Sequence, residues 1–216
     1  MADKGIIFSA PMVRALLDGT KTQTRRLYKA RFGMGEPVNL KDHGIGDYSG
    51  RTNDPASWGF PCAEDGGDMP LSSWPETSGY APADRLYVRE AWRVSSAQND
   101  LAGSNLPGGL TVEYPADGSG YLDGRYRHAR FMPRQFSRLT LTVTDVRVQR
   151  LREISEADAI AEGVEMVARR NYRDGYAVLW NSLHTEPGET WEANPWIVAV
   201  SFDVGKHNID AKEGGE

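Results

Sequence analysis

Apolar and polar positions follow a regular pattern over only part of this chain. Strict alternation runs through "DRLYVREAWRV", residues 84–94, and through most of "SRLTLTVTDVRVQRL", residues 137–151, so each segment predicts a strand. A change of phase before Val146 predicts a bend or bulge in the second strand. The side chains expected on the buried faces are Leu86, Val88, Glu90, Leu139, Leu141 and Val143.

Helical spacing and helix-end signals predict a first helix over "SAPMVRALLDG", residues 9–19. Ser9 is the expected cap, Pro11 lies in the first turn, and Gly19 ends the helix. The expected core-facing stripe consists of Met12, Ala15 and Leu16.

Two more helices are predicted in the second half of the chain. "ISEADAIAEGV" has Ser155 as its cap, Asp158 three residues later in a capping-box arrangement, and Gly163 at its end. "NYRDGYAVLWNSLH", residues 171–184, predicts the other helix. Shorter strands are predicted at "GIIFSA", "GLTVEY" and "NPWIVAVSFDV", residues 5–10, 109–114 and 194–204.

Periodicity is lost at residues 36–80 and 95–109, which are rich in glycine, proline and polar residues. We interpret both segments as insertions in a single domain over residues 1–204, and the polar residues 205–216 as a disordered tail. Several strands with a few short helices, and no alternation of strand and helix, predict the α+β class. They favour a small mixed barrel over a doubly wound sheet.

Composition and charge exclude some classes of function. The 216 residues carry a formal net charge of −5, which argues against indiscriminate nucleic-acid binding. Residues 125–152 nevertheless hold eight arginines against one acid, Asp145, and predict a local basic face. The apolar runs are far shorter than the ~20 residues of a membrane-spanning helix, and no leader opens the chain. We therefore expect a cytoplasmic protein without a membrane partner.

Metal and disulfide chemistry finds no support in the sequence. Cys62 is the single cysteine, so an intramolecular disulfide and a cysteine-rich metal site are both excluded. The histidines at 43, 128, 184 and 207 lack the spacing of metal ligands. We expect no metal and no cofactor.

A cluster of polar side chains directly follows the first predicted helix, in "LLDGTKTQTRRL", residues 16–27. It fits either a solvated turn before an edge strand or a catalytic or anion-binding turn. Lys21 and Thr24 would point to opposite faces of one regular strand. They converge if the turn continues through Thr22, which Gly19 permits if it adopts a positive φ.

The order of these elements resembles the ASCH domain, a member of the PUA-like β-barrel superfamily, and in particular the prophage-borne ASCH proteins of proteobacteria. The specific features are the string G-x-K-x-x-T-x-R at residues 19–26 and an acidic residue in the helix after the long strand. Relatives usually have Gly-Asp where this chain has Ala83-Asp84. That difference concerns turn geometry rather than the reacting groups.

Some bacterial ASCH enzymes remove the acetyl group from N4-acetylcytidine with a lysine and a threonine of that string and a glutamate of that helix. By position, the resemblance implies Lys21, Thr24 and Glu162 as catalytic residues and Arg26 as a substrate-binding residue. It also implies a modified cytidine nucleoside, or RNA or DNA that contains it, as the partner.

Two schemes for hydrolysis of the N4 amide remain open. A neutral Lys21, with a pKa far below the ordinary ~10.4, could take the proton of the Thr24 hydroxyl. Nearby arginines, Arg25 and Arg26, could lower that pKa. In the other scheme, Glu162 orients or deprotonates a water, or protonates the leaving amine, while Lys21 and Arg26 stabilise the oxyanion.

Glu90 and Trp92 are candidate pyrimidine readers, because a carboxylate can accept from the cytosine amino group and an indole can stack on the base. For Trp92 the alternative is a place in the core. The basic face supplies candidate phosphate contacts for a non-catalytic RNA- or DNA-binding module, and a nuclease is a third hypothesis. Arginines can equally solvate an edge hairpin. The candidate nucleic-acid-binding residues are Arg125, Arg127, Arg130 and Arg134.

Overall fold

The computed structural model describes four long stretches of the chain, residues 3–28, 78–118, 120–164 and 171–211. It also gives the backbone of three short strands between the first two stretches. In this part of the chain it contains eight strands and three α-helices. The predicted α+β class is therefore confirmed.

Five of the eight strands form one sheet. In chain order the strands are β1 (Lys4–Ile7), β2 (Gln23–Leu27), β3 (Val38–Asn39), β4 (Trp58–Phe60), β5 (Met69–Pro70), β6 (Arg85–Arg89), β7 (Thr140–Arg150) and β8 (Trp196–Gly205). The order in the larger sheet is β1-β6-β7-β8-β2. β1 is parallel to β6, whereas β6 with β7 and β2 with β8 are antiparallel. β1 and β2 end this order, so the sheet is open and not closed into the predicted barrel.

The three helices are α1 (Ala10–Leu17), α2 (Glu156–Ala161) and α3 (Tyr172–Leu183). All three lie where the sequence predicts them. The capping box of α2 is confirmed, because the Asp158 amide donates to the Ser155 hydroxyl and the Ser155 amide donates to the Asp158 carboxylate. Gly163 follows α2 with a φ of +73°.

The short strands β3, β4 and β5 form a separate antiparallel sheet in that order. They lie inside the predicted insertion at 36–80. The other residues of that insertion up to residue 77, among them His43 and Cys62, are outside the described part of the chain.

By its internal contacts the chain divides into two compact units. The first unit comprises Met1–Thr22, Ala83–Val143 and Phe202–Glu216. The second comprises Gln23–Pro82 and Thr144–Ser201.

In the first unit, α1 buries Val13, Ala15 and Leu16. The prediction of Met12 in this stripe is wrong, since Val13 takes that place and Met12 is only partly buried. Val13 and Leu16 are three residues apart and therefore lie on one face of the helix.

The polypeptide leaves α1 through Gly19, which has the predicted positive φ, +73°. The amides of Thr20 and Lys21 both donate to the Ala15 carbonyl at 3.0 Å, so the closing turn of the helix extends as far as Lys21. Regular pairing in β2 begins only at Gln23. The turn and an isolated bridge thus fix the backbone of Lys21, which precedes the regular pairing of β2.

A cluster of buried side chains fills the part of the first unit that follows β6. Its members are Trp92, Val94, Leu106, Met132 and Phe136. The strand predicted at 109–114 does not form, because only Glu113 pairs with Arg93 in an isolated bridge. The apolar residues of that segment instead pack against the cluster.

The disordered tail predicted from residue 205 is instead ordered as far as residue 211. Ile209 is buried, and the Asn208 side chain donates to the carbonyls of Arg134 and Ser137. The hydroxyl of Thr140 donates to the His207 carbonyl. These polar side chains bind backbone carbonyls, a use that their hydrophilic composition does not reveal. Residues 212–216 lie outside the described part of the chain.

In the second unit, α2 and α3 cover one face of β2 and the neighbouring part of β8. The buried residues on this side are Leu151, Ile154, Ala159, Tyr176, Trp180, Ile197 and Ala199. In β7 the expected change of phase appears where Thr144 and Asp145 are both exposed in succession.

No described helix combines the length and the apolar character that crossing a membrane requires.

We expect Gly19→Ala to lower the free energy of unfolding by about 1 kcal/mol, because alanine disfavours the left-handed backbone. A Cβ at this position would meet nothing within 4 Å, so the cost is purely conformational. Denaturant unfolding measures it. The matched control is Gly108→Ala, where φ is not positive and the nearest atom to a Cβ lies at 3.7 Å. Equal effects at the two positions would contradict the assignment.

Candidate functional site

The four polar residues predicted for the site interior are buried. Lys21 and Glu90 are each 1% exposed, and Thr24 and Glu162 are each 3% exposed. Lysine and glutamate are almost never fully buried unless they are paired, because removal of a charge from water is costly. The interpretation of Lys21 and Thr24 as part of a solvent-facing turn is therefore wrong.

In the first unit, Lys21 packs against an aromatic ring. Its Nζ lies 5.6 Å from the centroid of Phe8, within the range of cation–π attraction. Phe8 is itself buried and is fixed by the bond from its amide to the Arg89 carbonyl. The end of the Lys21 side chain therefore lies beside an aromatic ring in the protein interior.

In the second unit, β2 presents its polar residues on two faces. Thr24 is opposite Val200 of β8, and Arg25 is opposite Ala199. Residues directly opposite share a face and successive residues alternate. Thr24 and Arg26 therefore project from one face, and Arg25 projects from the face that α2 and α3 cover.

Arg25 is 2% exposed and is surrounded by acceptors. Its Nη1 donates to Glu162 Oε1 at 3.0 Å and also to the Gln23 side chain. Its Nη2 is 3.3 Å from Asp158 Oδ2, close enough for an ion pair but without hydrogen-bond geometry. Its Cζ is 5.8 Å from the centroid of the Tyr176 ring. Among the described residues, Nε and Nη2 of Arg25 find no hydrogen-bond acceptor.

The charges around Arg25 change the titration of their neighbours. Burial alone would raise the pKa of Asp158, but the Arg147 hydrogen bond and the charges of Arg25 and Arg147 outweigh it and lower that pKa to about 2. Burial and the charge of Glu162 raise the pKa of Tyr176 well above its ordinary value. Asp158 therefore acts as a permanent anion beside Arg25 at neutral pH.

Sequence reasoning did not assign Arg25 to Glu162. It treated Arg25 as one of the cations that could lower the pKa of Lys21. The available signal was the spacing of Asp158 and Glu162, since acids four residues apart at a helix lie on the same side and can share one cation.

In the first unit, Glu90 is bound by an arginine. Both its oxygens accept from Arg138, one from Nε at 2.9 Å and one from Nη2 at 3.1 Å. Arg138 also binds Asp117 and lies 4.1 Å from the centroid of the Tyr114 ring. Burial raises the pKa of Glu90 although Arg138 opposes the rise, and burial raises that of Tyr114 to about 12. A contact from Glu90 to a cytosine amino group would have to share these oxygens with Arg138.

Trp92 is completely buried at the centre of the first-unit cluster. Its ring is 5.4 Å from Phe136 and 5.1 Å from the guanidinium of Arg127. These contacts fit the core role. Stacking on a base would require the cluster to open.

The four arginines predicted to bind nucleic acid differ in their surroundings. Arg134 is paired with Asp3 and Asp210, which hold its pKa above the ordinary value. Arg125 and Arg127 donate to backbone carbonyls. Arg130 is exposed, and no carboxylate of the described residues lies within ion-pair distance of its guanidinium. Arg134 is therefore already neutralised within the protein.

The fold and these residues define an α+β protein with several charged side chains in its interior. No family model matches the chain, and neither the curated proteins nor the solved structures compared with it give a match. In the described stretches, no group of three or more His, Cys, Asp or Glu residues has the arrangement of a metal site.

We expect Arg25→Met to lower the free energy of unfolding by about 3–5 kcal/mol, because it leaves Glu162 and Asp158 without their buried cation. In a Glu162→Gln background the same change should cost clearly less, since one stranded charge is gone. A double-mutant cycle with denaturant unfolding measures the difference.

Arg147→Met is the matched control for this cycle. Arg147 also binds Asp158, but its side chain is 36% exposed, so its loss should cost about 1 kcal/mol or less. Equal costs for the two arginine variants would show that burial does not set the strength of the Arg25 contacts.

Proposed function

We propose that this chain is an amidohydrolase that removes acyl groups from N4-acylated cytosine, with Lys21, Thr24 and Glu162 as its catalytic residues. The observation that carries the proposal is the burial of all three side chains. The same proposal makes the chain an ASCH protein whose open sheet is the counterpart of the PUA-like barrel. Its sequence support is the string at residues 19–26 together with the glutamate that follows α2.

Burial supports a catalytic role because these groups are expensive to keep away from water. A lysine and a glutamate at an ordinary turn and an ordinary helix end would be solvated and would cost nothing. Charged groups that proteins retain in the interior are concentrated at functional sites, although structural ion pairs also occur there. The pair of Arg25 and Glu162 is such a structural contact, and it gives Glu162 a fixed position.

In the first scheme, Thr24 Oγ attacks the acyl carbon while a neutral Lys21 takes its proton. The bond from the acyl carbon to N4 then breaks, and the proton passes to N4, which leaves as the amine of cytosine. Water then attacks the Thr24 ester, the acyl group leaves as a carboxylic acid, and the threonine hydroxyl is restored.

In the second scheme, Glu162 accepts a proton from an attacking water, and Lys21 and Arg26 stabilise the oxyanion. The same proton later reaches the leaving N4. In both schemes Arg25 touches no substrate atom and acts as a positioning residue for Glu162.

N4-acetylcytidine should be hydrolysed by the full chain in the presence of a metal chelator. Lys21→Met should reduce kcat/KM by at least about 100-fold in both schemes, whereas Thr24→Val should do so in the first scheme and Glu162→Gln in the second, because each variant then lacks a group that takes part in the reaction. Chromatography of released cytidine measures the rate.

Thr140→Val is the matched control, since Thr140 is another buried threonine whose hydroxyl has a backbone acceptor. It reports the cost of deletion of a buried hydroxyl as such. Retained turnover in all three site variants would exclude the proposed mechanism.

The pH dependence of kcat/KM separates the two schemes. If Lys21 is the neutral base, activity rises through a pKa well below ~10 and Lys21→Arg abolishes the chemical step, because arginine keeps its charge. If Lys21 is a cationic oxyanion clamp, Lys21→Arg retains a measurable rate, and the rising limb of the profile disappears in Glu162→Gln. A Lys21→Arg enzyme with substantial rate and an unchanged acidic limb excludes the general-base role.

A further inference from the structure

A pocket of about 540 Å³ opens in the first unit, and no residue assigned to catalysis lines it. Its volume is in the range of small-molecule sites. Aromatic, basic and aliphatic side chains line it, together with one acid, Asp100. The members that carry its chemistry are Leu101, Arg125, Tyr126, Arg127, His128 and Phe131.

The walls of the pocket are fastened together by hydrogen bonds. Arg127 donates to the carbonyls of Leu101 and Gln98, both at 2.6 Å, and Arg125 binds the backbone and side chain of Asn99. At Gly103 a Cβ would lie 2.6 Å from the Phe131 carbonyl oxygen, so the two walls approach too closely for any side chain there. The pocket is therefore preformed.

Two aromatic rings at the pocket face solvent. Phe131 is 64% exposed and Tyr126 is 49% exposed. The guanidinium of Arg93 lies 4.5 Å from the Tyr126 centroid and is itself paired with Glu113. Exposed aromatic rings of this kind are typical of surfaces that stack on planar ligands.

The pocket is positively charged although the chain as a whole is acidic. Arg125 and Arg127 bind only neutral carbonyls, and in the described residues no carboxylate forms an ion pair with them or with the adjacent Arg130. Asp100 is the one acid in the lining. Burial and the charge of Arg125 lower the pKa of Arg127. An anionic ligand would relieve this repulsion.

His128 adds a directional donor. Its Nδ1 accepts from the Arg130 amide at 3.0 Å, so the neutral ring carries its proton on Nε2. The same bond begins the short 3-10 turn Ala129–Phe131 that presents the Phe131 ring. The turn thus fixes the positions of the His128 donor and the Phe131 ring relative to each other.

We infer that this pocket binds a nucleotide of a single-stranded nucleic acid. A base stacks on Phe131 and Tyr126, and the adjoining phosphates contact Arg125 and Arg130. Duplex does not fit this chemistry, because its bases are not free to stack on protein rings. The inference goes beyond the proposed hydrolysis and does not depend on it, since it concerns the polymer and not the acyl group.

Fluorescence anisotropy with a short labelled oligocytidylate that lacks acyl groups tests the inference. The full chain should bind the single strand more tightly than the matching duplex. Phe131→Ala should weaken binding of the single strand roughly ten-fold, the effect of loss of one stacking contact. Arg130→Ala should reduce the slope of log affinity against log salt by about 0.7, the value for one phosphate contact with a single strand.

Two control variants remove an aromatic ring and an arginine at exposed positions that do not line the pocket. Tyr121→Ala removes a ring that is 83% exposed and does not line the pocket, and Arg152→Ala removes an exposed arginine of the second unit. Neither should change the affinity by more than about two-fold, the change expected for loss of a peripheral charge or ring.

Three results would overturn the inference. The first is that the oligonucleotide does not bind. The second is that single strand and duplex bind with equal affinity and Phe131→Ala does not change that affinity. The third is that free cytidine monophosphate competes at the same concentration as the unlabelled oligonucleotide. Because the probe carries no acyl group, loss of binding with intact hydrolysis of N4-acetylcytidine refutes only this inference. Binding without hydrolysis refutes only the proposed function.

Discussion

The buried guanidinium of Arg25 determines which charged side chains can occupy the interior of the second unit. Arg25 projects from the face of β2 that α2 and α3 cover, where water cannot solvate its charge. Its partners are two acids from α2 and the helix end, Asp158 and Glu162. Neither the cation nor the anions would be tolerable alone, because each isolated charge would lose far more hydration than packing returns. The placement of α2 against β2 therefore depends on these charge pairs.

The first unit also contains a buried charge that is paired, but here the buried group is a carboxylate, Glu90. Glu90 and Asp117 both bind Arg138. The planar guanidinium donates to both oxygens of Glu90 and makes a cation–π contact with the Tyr114 ring. This arrangement explains why an acid can occupy an inward position in an otherwise apolar alternation. A buried carboxylate just after a strand, such as Glu90, can therefore either bind a substrate or pair with an arginine of the protein.

Local signals in the sequence predicted the helices and the strands that flank them. The capping box follows from the side chains of Ser155 and Asp158, three residues apart, and the positive φ at Gly19 and Gly163 follows from the lack of a Cβ at the helix ends. Such features depend on propensity and hydrogen bonding along the chain, and neighbours in sequence decide them.

Features that depend on distant partners were not predictable in the same way. Whether the sheet closes depends on the meeting of strands far apart in sequence, and Arg25 finds Glu162 across 137 positions. The candidate site was partly foreseeable: the string at residues 19–26 and the acid after the long strand indicated Lys21, Thr24 and Glu162 as candidates, whereas their burial and the hydrogen bond from Arg25 to Glu162 depend on the fold. The choice of Val13 over Met12 likewise reflects what α1 packs against and not its own periodicity.

The ordered segment beyond β8 bears on where this domain ends. Asn208 holds the carbonyls of Arg134 and Ser137, and Ile209 is buried, so these residues function as a clasp on the segment that leads into β7. A recombinant chain that stopped at the last strand residue, Gly205, would lose these contacts, together with the buried Ile209 side chain and the acceptor of the Thr140 hydroxyl. The folded unit therefore extends at least as far as Ala211, into a stretch whose composition alone would mark it for deletion.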